Sequence, residues 1–285
     1  MTHWEKGNQP STAVSFLTVI TKPVLRGPAI RCIASILRNF FFLQHRAILR
    51  PGRIPVSEVE HPLDEGIPFI PRWVDIYQDF SPFWIRIVGF LLHRYRRRAL
   101  APVKDFINSM NRIYSVAAEV YAKNLSTTRR PFYIRNPQFL LIHLLDPHLM
   151  CIPSIHVMVM IFSYTHFREI LRSFGDESSL AAEINEVCSG AVRITEAILY
   201  VKQHSVNCVA ASMYTMSRFD PGLFPPVEAE AFVSRLFVEP EGFPADDGAR
   251  IREHIITLYR YFMDRSRPDE PWDAPLLDFL RERRK

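Results

Sequence analysis

The sequence predicts an all-α protein, and three observations carry that expectation. Apolar residues recur at alternating spacings of three and four over several long segments, the period of a helix with one buried face. Glycine is scarce, 10 residues against 21 phenylalanines, which disfavours a strand-and-turn architecture. Prolines gather between the periodic segments, with five of them in residues 50–72. At 285 residues the chain is long enough for one large helical domain or two small ones with a sizeable core. Hydrophobic residues make up 48% and charged residues 23%, the usual balance of a soluble globular protein.

Residues 1–27 are polar and broken by Pro10 and Pro23, and read as irregular. Ala29 to about Leu49 carries Ile33, Ile36, Phe40 and Phe41 and reads as an apolar helix. Residues 50–72 read as a long ordered connection. Helices follow near 82–99 and 102–123, split around Pro102, and the second delivers Lys123 at its C-terminal end. The residue before a proline is turned away from helix, so Thr127 to Pro131 leaves as a loop carrying Arg130. A short apolar helix at 137–145 ends at Asp146-Pro147. Ser154 suits the N-cap of a helix over about 155–174, whose start is apolar on every side. From Ser179 to about Val201, Leu180, Ile184, Val187, Ala191, Ile194 and Ile198 draw one continuous core stripe. It leads into Lys202-Gln203-His204, read as opening the next helix, where unpaired N–H groups and the positive dipole end favour an anion. Beyond Gly222 the chain turns rich in proline and acidic residues, with helices expected at 227–237 and 249–264 and a short basic one at the end.

Four cysteines (Cys32, Cys151, Cys188, Cys208) stand apart with no C-x-x-C pair, which disfavours a structural zinc site or disulfide framework and fits a reducing compartment. Met1 to Lys22 lacks a clustered basic start and a small-residue cleavage site, so no signal peptide is expected. Arginines and histidines interrupt every apolar stretch before it reaches the roughly 20 residues of a membrane span, so a protein that stays soluble without detergent is expected, the integral-membrane alternative being disfavoured. The net charge of +5 is concentrated in His93–Arg98 and Arg281–Lys285. Such patches are solvated helix ends or docking points for anionic headgroups. No nucleic-acid-binding module accompanies them, and nucleic acid is not expected as a partner.

Three blocks stand out in order: Lys123, six residues, then Arg130-Pro131; Pro153-Ser154-Ile155-His156; and Lys202-Gln203-His204. Alone, each also fits a basic surface turn or a core histidine. Together they resemble the signature blocks of the type 2 phosphatidic acid phosphatase and haloperoxidase superfamily. Leu63 to Pro71 also resembles the segment before the second core helix of its membrane-bound members, so the likeness covers residues 63–215. The resemblance implies a helical bundle with a core at 63–220 and helical extensions at 1–62 and 221–285, all in one compact unit.

It also implies a chemistry. His204 would attack phosphorus and become a phosphohistidine, His156 would protonate the leaving oxygen, and Lys123, Arg130 and Ser154 would hold the non-bridging oxygens. Two cations and a helix start suit the charge of a phosphoryl transition state, and two histidines can divide nucleophile and acid near neutral pH. No metal and no cofactor is implied. The third block departs from the family twice. Ala197-Ile198 stand where the family has Ser-Arg, with Lys202 the expected stand-in and Arg193 the weaker substitute. Cys208 stands where the family has the aspartate that orients the nucleophile, and Asn207, on roughly the same helical face, is the expected replacement.

The leading function is thus a metal-independent phosphatase or phosphotransferase acting on a monoester or a lipid or isoprenoid phosphate. The alternative is a catalytically degenerate member that binds a phosphorylated ligand or partner. A vanadate-dependent peroxidase is third, weakened by the missing arginine. Expected partners are a phosphorylated small molecule or lipid headgroup and peripheral contact with an anionic membrane; the expected location is the cytoplasm, with membrane association.

Overall fold

The computed structural model describes residues 10–284; the first nine residues and Lys285, the end of the basic tail, lie outside them. The chain is all-α apart from two three-residue strands. The first helix, α1 (Thr12–Thr21), replaces the irregular segment expected there. Its N-terminus is capped by Ser11, whose hydroxyl accepts from the Val14 N–H at 3.3 Å. Pro23 does not break the chain but opens α2 (Pro23–Ile36), where its missing N–H has no partner to lose. A π-helical turn at Leu37–Phe42 joins α2 to α3 (Leu43–Leu49), so the helix expected from Ala29 begins six residues earlier.

The connection at 50–72 holds β1 (Val56–Glu58), a single turn α4 (Leu63–Gly66) and the start of a 3₁₀ turn that leads into α5 (Val74–Gln78). Next come α6 (Phe80–Tyr95) and α7 (Leu100–Tyr121), joined by the 3₁₀ turn Arg96–Ala99, which exposes its three arginines and buries Ala99. The second strand, β2 (Leu125–Thr127), pairs in parallel with β1, Val56 opposite Leu125. The Asn124 amide donates to the Ser57 hydroxyl at 2.9 Å and ties the two strand segments together. The remaining helices are α8 (Pro137–Leu145), α9 (Ile155–Ser173), α10 (Ala181–Tyr200), α11 (Val206–Phe219), α12 (Pro226–Ser234), α13 (Ala245–Arg265) and α14 (Ala274–Arg281).

The centre is α9, buried on nearly every side from Ile155 to Thr165, as its unbroken apolar start demands. Around it pack α6, α7, α10 and α11, with α13 covering α11 and α2 covering α7. Apolar residues from Val19 to Leu280 share one core, so both terminal segments are part of the same packing unit as the middle. Among the described residues no helix is long and apolar enough to cross a membrane.

Gly89 lets α1 approach α6 closely, because a Cβ there would collide with the Ser15 side chain. Gly89→Val is therefore expected to push α1 off α6 at a cost of about 1–3 kcal/mol. A lower melting temperature, with proteolysis advancing first through residues 12–21, is the expected readout. An unchanged melt would show that α1 is not held by this contact.

Candidate functional site

The turn between α10 and α11 builds one side of the site. The stripe of α10 ends when Lys202 enters the left-handed region at φ 55°, a conformation that non-glycine residues seldom adopt. The Gln203 N–H closes onto the Ile198 carbonyl at 2.9 Å, and the His204 N–H onto the same oxygen at 3.3 Å. His204 therefore precedes the helix instead of opening it: Ser205 is the N-cap, its hydroxyl accepting from the Asn207 N–H at 3.2 Å.

The other side comes from α9. Ser154 occupies the expected N-cap position, but its side chain makes no capping bond. Its hydroxyl lies 3.2 Å from Nε2 of His204 instead. Ser154 is held by its own N–H, which donates to the Ser212 hydroxyl of α11 at 2.7 Å. His156, in the first turn of α9, places Nδ1 3.3 Å from the same His204 nitrogen, across 48 residues of sequence. Its ring sits between Tyr77 and Phe80, with centroids at 4.9 and 4.5 Å. Burial, then the neighbouring His204, pushes the His156 imidazole well below its ordinary pKa, so it is neutral near pH 7.

Two clefts meet at this histidine pair. One, about 580 Å³, is polar and lined by Glu60, His61, Asp64, Thr128, Lys202 and His204. The other, about 260 Å³, is mostly apolar and runs between Phe40 and Phe41 on one wall and Leu141 and Leu145 on the other, down to His156.

The expected cations divide. The Arg130 guanidinium donates to the Gln203 side-chain oxygen at 3.1 Å and to the Asp146 carbonyl at 2.8 Å, both neutral acceptors, so its charge is not spent on a carboxylate. Lys202 lines the polar cleft with His204, its ammonium donating to the Asp64 carbonyl; burial lowers its pKa against the pull of Asp64 and Glu65. Lys123 pairs with Asp273, a buried carboxylate just before α14, and does not line the polar cleft. The C-terminal segment, which carries no motif, thus draws away one of the expected phosphate ligands.

Neither expected orienter hydrogen-bonds the nucleophile candidate. The Asn207 amide donates to the Val59 carbonyl at 3.1 Å, and its oxygen accepts from Nε2 of His254 at 2.8 Å. The Cys208 sulfur accepts from the Ser205 N–H at 3.4 Å, closing a capping box on α11. Burial and the adjacent Cys151 push the Cys208 thiol up, so it stays protonated. Nδ1 of His204 is left buried with no hydrogen-bond partner among the described residues.

Sequence reasoning missed Asp64. Its carboxylate accepts from the Val206 N–H at 2.9 Å and the His61 N–H at 2.8 Å, so it fills the anion position at the start of α11. Burial raises its pKa, opposed by the hydrogen bonds from Ser205, Val206 and His61 and by the Lys202 charge. Asp64 lies within Leu63 to Pro71, the segment the family resemblance singled out, but its contact with α11 spans 142 residues and has no local signature.

No family model, curated protein or solved structure matches the chain.

Proposed function

We propose that the chain is a phosphate-ester site of the phosphatidic acid phosphatase and haloperoxidase type, with His204 as nucleophile and His156 as general acid. The single observation that supports this is the meeting of Ser154, His156 and His204 within 3.3 Å, at the junction of a polar and an apolar cleft, with Arg130 unpaired beside Gln203. Ser154, against Nε2 of His204, and Lys202, which lines the polar cleft with it, are the groups best placed to hold non-bridging oxygens; Arg130, beside Gln203, is the further cation.

An ester monoanion passes its proton to neutral His156, giving an imidazolium beside the dianion. The lone pair on Nε2 of His204 forms the N–P bond, and the ester P–O bond breaks with its electron pair on the leaving oxygen, which the imidazolium protonates. Water then attacks phosphorus and loses a proton to His156, while the P–N electron pair returns to His204. Phosphate release from a panel of soluble and lipid phosphate esters tests the reading. The expected result is turnover, with acid-labile phosphate on the protein after rapid quenching.

The unpartnered Nδ1 of His204 favours a second reading, in which the site holds a phosphorylated ligand without turning it over. Phosphate binding to the full chain with no release from any ester would decide for it.

Asp64 gives both readings a common prediction. Its carboxylate sits in the cleft where the ligand's charge would go. Asp64→Asn keeps an acceptor for the Val206 N–H and removes the like charge. Inorganic phosphate and vanadate are expected to bind about tenfold more tightly to this variant at low salt, with the gain shrinking as salt is added. Calorimetric titration reads the change, and equal affinity in the two proteins would place the anion elsewhere.

A further inference from the structure

Exposed apolar side chains on this protein are not scattered. Of the large ones that stand exposed among the described residues, only Val56, Val227 and Val238 lie outside residues 14–49 and 132–145. On α2 and the turn after it, Ile30, Ile33 and Leu37 repeat at three and four, one stripe facing away from α7. On α8 the burial is split: Phe139 and Ile142 face the core, whereas Leu140, Leu141, Leu144 and Leu145 face out. Phe132, in the loop before α8, is 80% exposed, and Leu144 is 69% exposed. The two regions are neighbours. Phe40 and Phe41 of the first face Leu141 and Leu145 of the second across the apolar cleft, and the Gln44 side chain of α3 accepts from the Leu149 N–H at 3.2 Å.

Charge along these two segments has one sign, the exposed acid beside them being Asp75, which accepts from the Gln138 amide of α8 at 2.7 Å. No aspartate or glutamate occurs between Pro10 and Ser57, whereas Arg26, Arg31, Arg38, Arg46, Arg50 and Arg53 are all exposed. The segment that carries Phe132 and α8 has no acid before Asp146 and exposes Arg135, while Arg129 is paired with Glu60 and Arg130 is held at Gln203.

We propose that this face docks the protein onto an anionic lipid bilayer, the α2 stripe and the outer side of α8 entering the interface and the arginines meeting the headgroups. Two properties select a bilayer over a second copy of the chain. A face on which exposed arginines far outnumber acids repels its own image, and it complements an anionic surface. Its helices lie along the surface, apolar on the outer side with basic residues interleaved, which is how helices rest in a membrane interface and not how they span one. It differs from the basic patches at His93–Arg98 and Arg281–Lys285 and does not depend on the phosphate-ester reading. It sets the mouth of the apolar cleft, and His156 at its floor, against the lipid.

The test is co-sedimentation of the full chain with phosphatidylcholine vesicles and with mixed phosphatidylcholine–phosphatidylserine vesicles. Binding is expected only to the mixed vesicles, weakening with salt. Arg31→Gln with Arg38→Gln should weaken it about fivefold per arginine, at roughly 1 kcal/mol for each charge near the surface. Phe132→Asp with Leu144→Asp should abolish it while leaving the circular dichroism and melting temperature unchanged, since neither side chain supports the core. Three results would overturn the proposal: no binding to mixed vesicles, equal binding by the Phe132/Leu144 variant, or a wild-type dimer in solution that this variant turns into a monomer.

Discussion

His204→Ala is expected to abolish phosphate release from every ester, whatever its leaving group, and with it the acid-labile phosphate on the protein. His156→Ala should behave differently. Loss of a general acid costs about 10²–10⁴-fold on an alkyl ester, and much of that returns with a nitrophenyl ester, whose leaving group needs no proton. The two histidines touch through one nitrogen each, so the variants separate roles that their positions alone do not. A pH profile adds a second mark. His156 is neutral when the site is empty, so the proton must arrive with an ester monoanion, and activity should fall as the ester loses that proton above about pH 6. A profile that rises through neutrality would assign the acid to another group, as would equal rescue of both variants.

What was legible in the sequence divides along the range of the interactions. Helices that carry their own period came through: α10 follows its Leu180 to Ile198 stripe, and α8 spans the nine residues expected of it, capped by Asn136. The strands did not, because Val56–Glu58 has no β pattern of its own and exists through pairing with Leu125–Thr127. The N-terminal helices escape a reading of proline as a breaker, because Pro23 occupies the first turn of α2. In the site, block order pointed to Ser154, His156 and His204, which meet. Partner choice was not legible. Lys123 goes to Asp273, Asn207 to His254, and the start of α11 to Asp64, each across dozens of residues and with no local signature of the pairing.

Asn207 is where that distinction has the largest consequence for stability. Expected on sequence to orient His204, it ties three segments together: the strand exit at Val59, the start of α11 and the middle of α13. Behind it, His254 stacks on His61 with ring centroids 3.8 Å apart. Asn207→Leu keeps the volume and removes both hydrogen bonds, leaving the Val59 carbonyl and the His254 N–H short of partners in a buried place. The expected cost is about 2–4 kcal/mol, which for a chain of this size lowers the melting temperature by about 5–10 °C. The same contact sets a pH dependence. Burial, then the charges of His61 and Arg283, pushes His254 down to about 4, and burial lowers His61 in the same direction. The unfolded chain, with ordinary histidines, therefore binds more protons than the folded one between about pH 4 and 6.5. Stability is full above that window and is lost as the pH falls through it, so the wild-type melting temperature should drop on acidification from pH 6.5 towards 4. Activity then separates strut from orienter. If Asn207 only braces the fold, Asn207→Leu that remains folded at low temperature should turn over esters within a few-fold of wild type. A variant with native circular dichroism and no turnover would show that His204 depends on Asn207 after all, through a rearrangement made only with ligand bound.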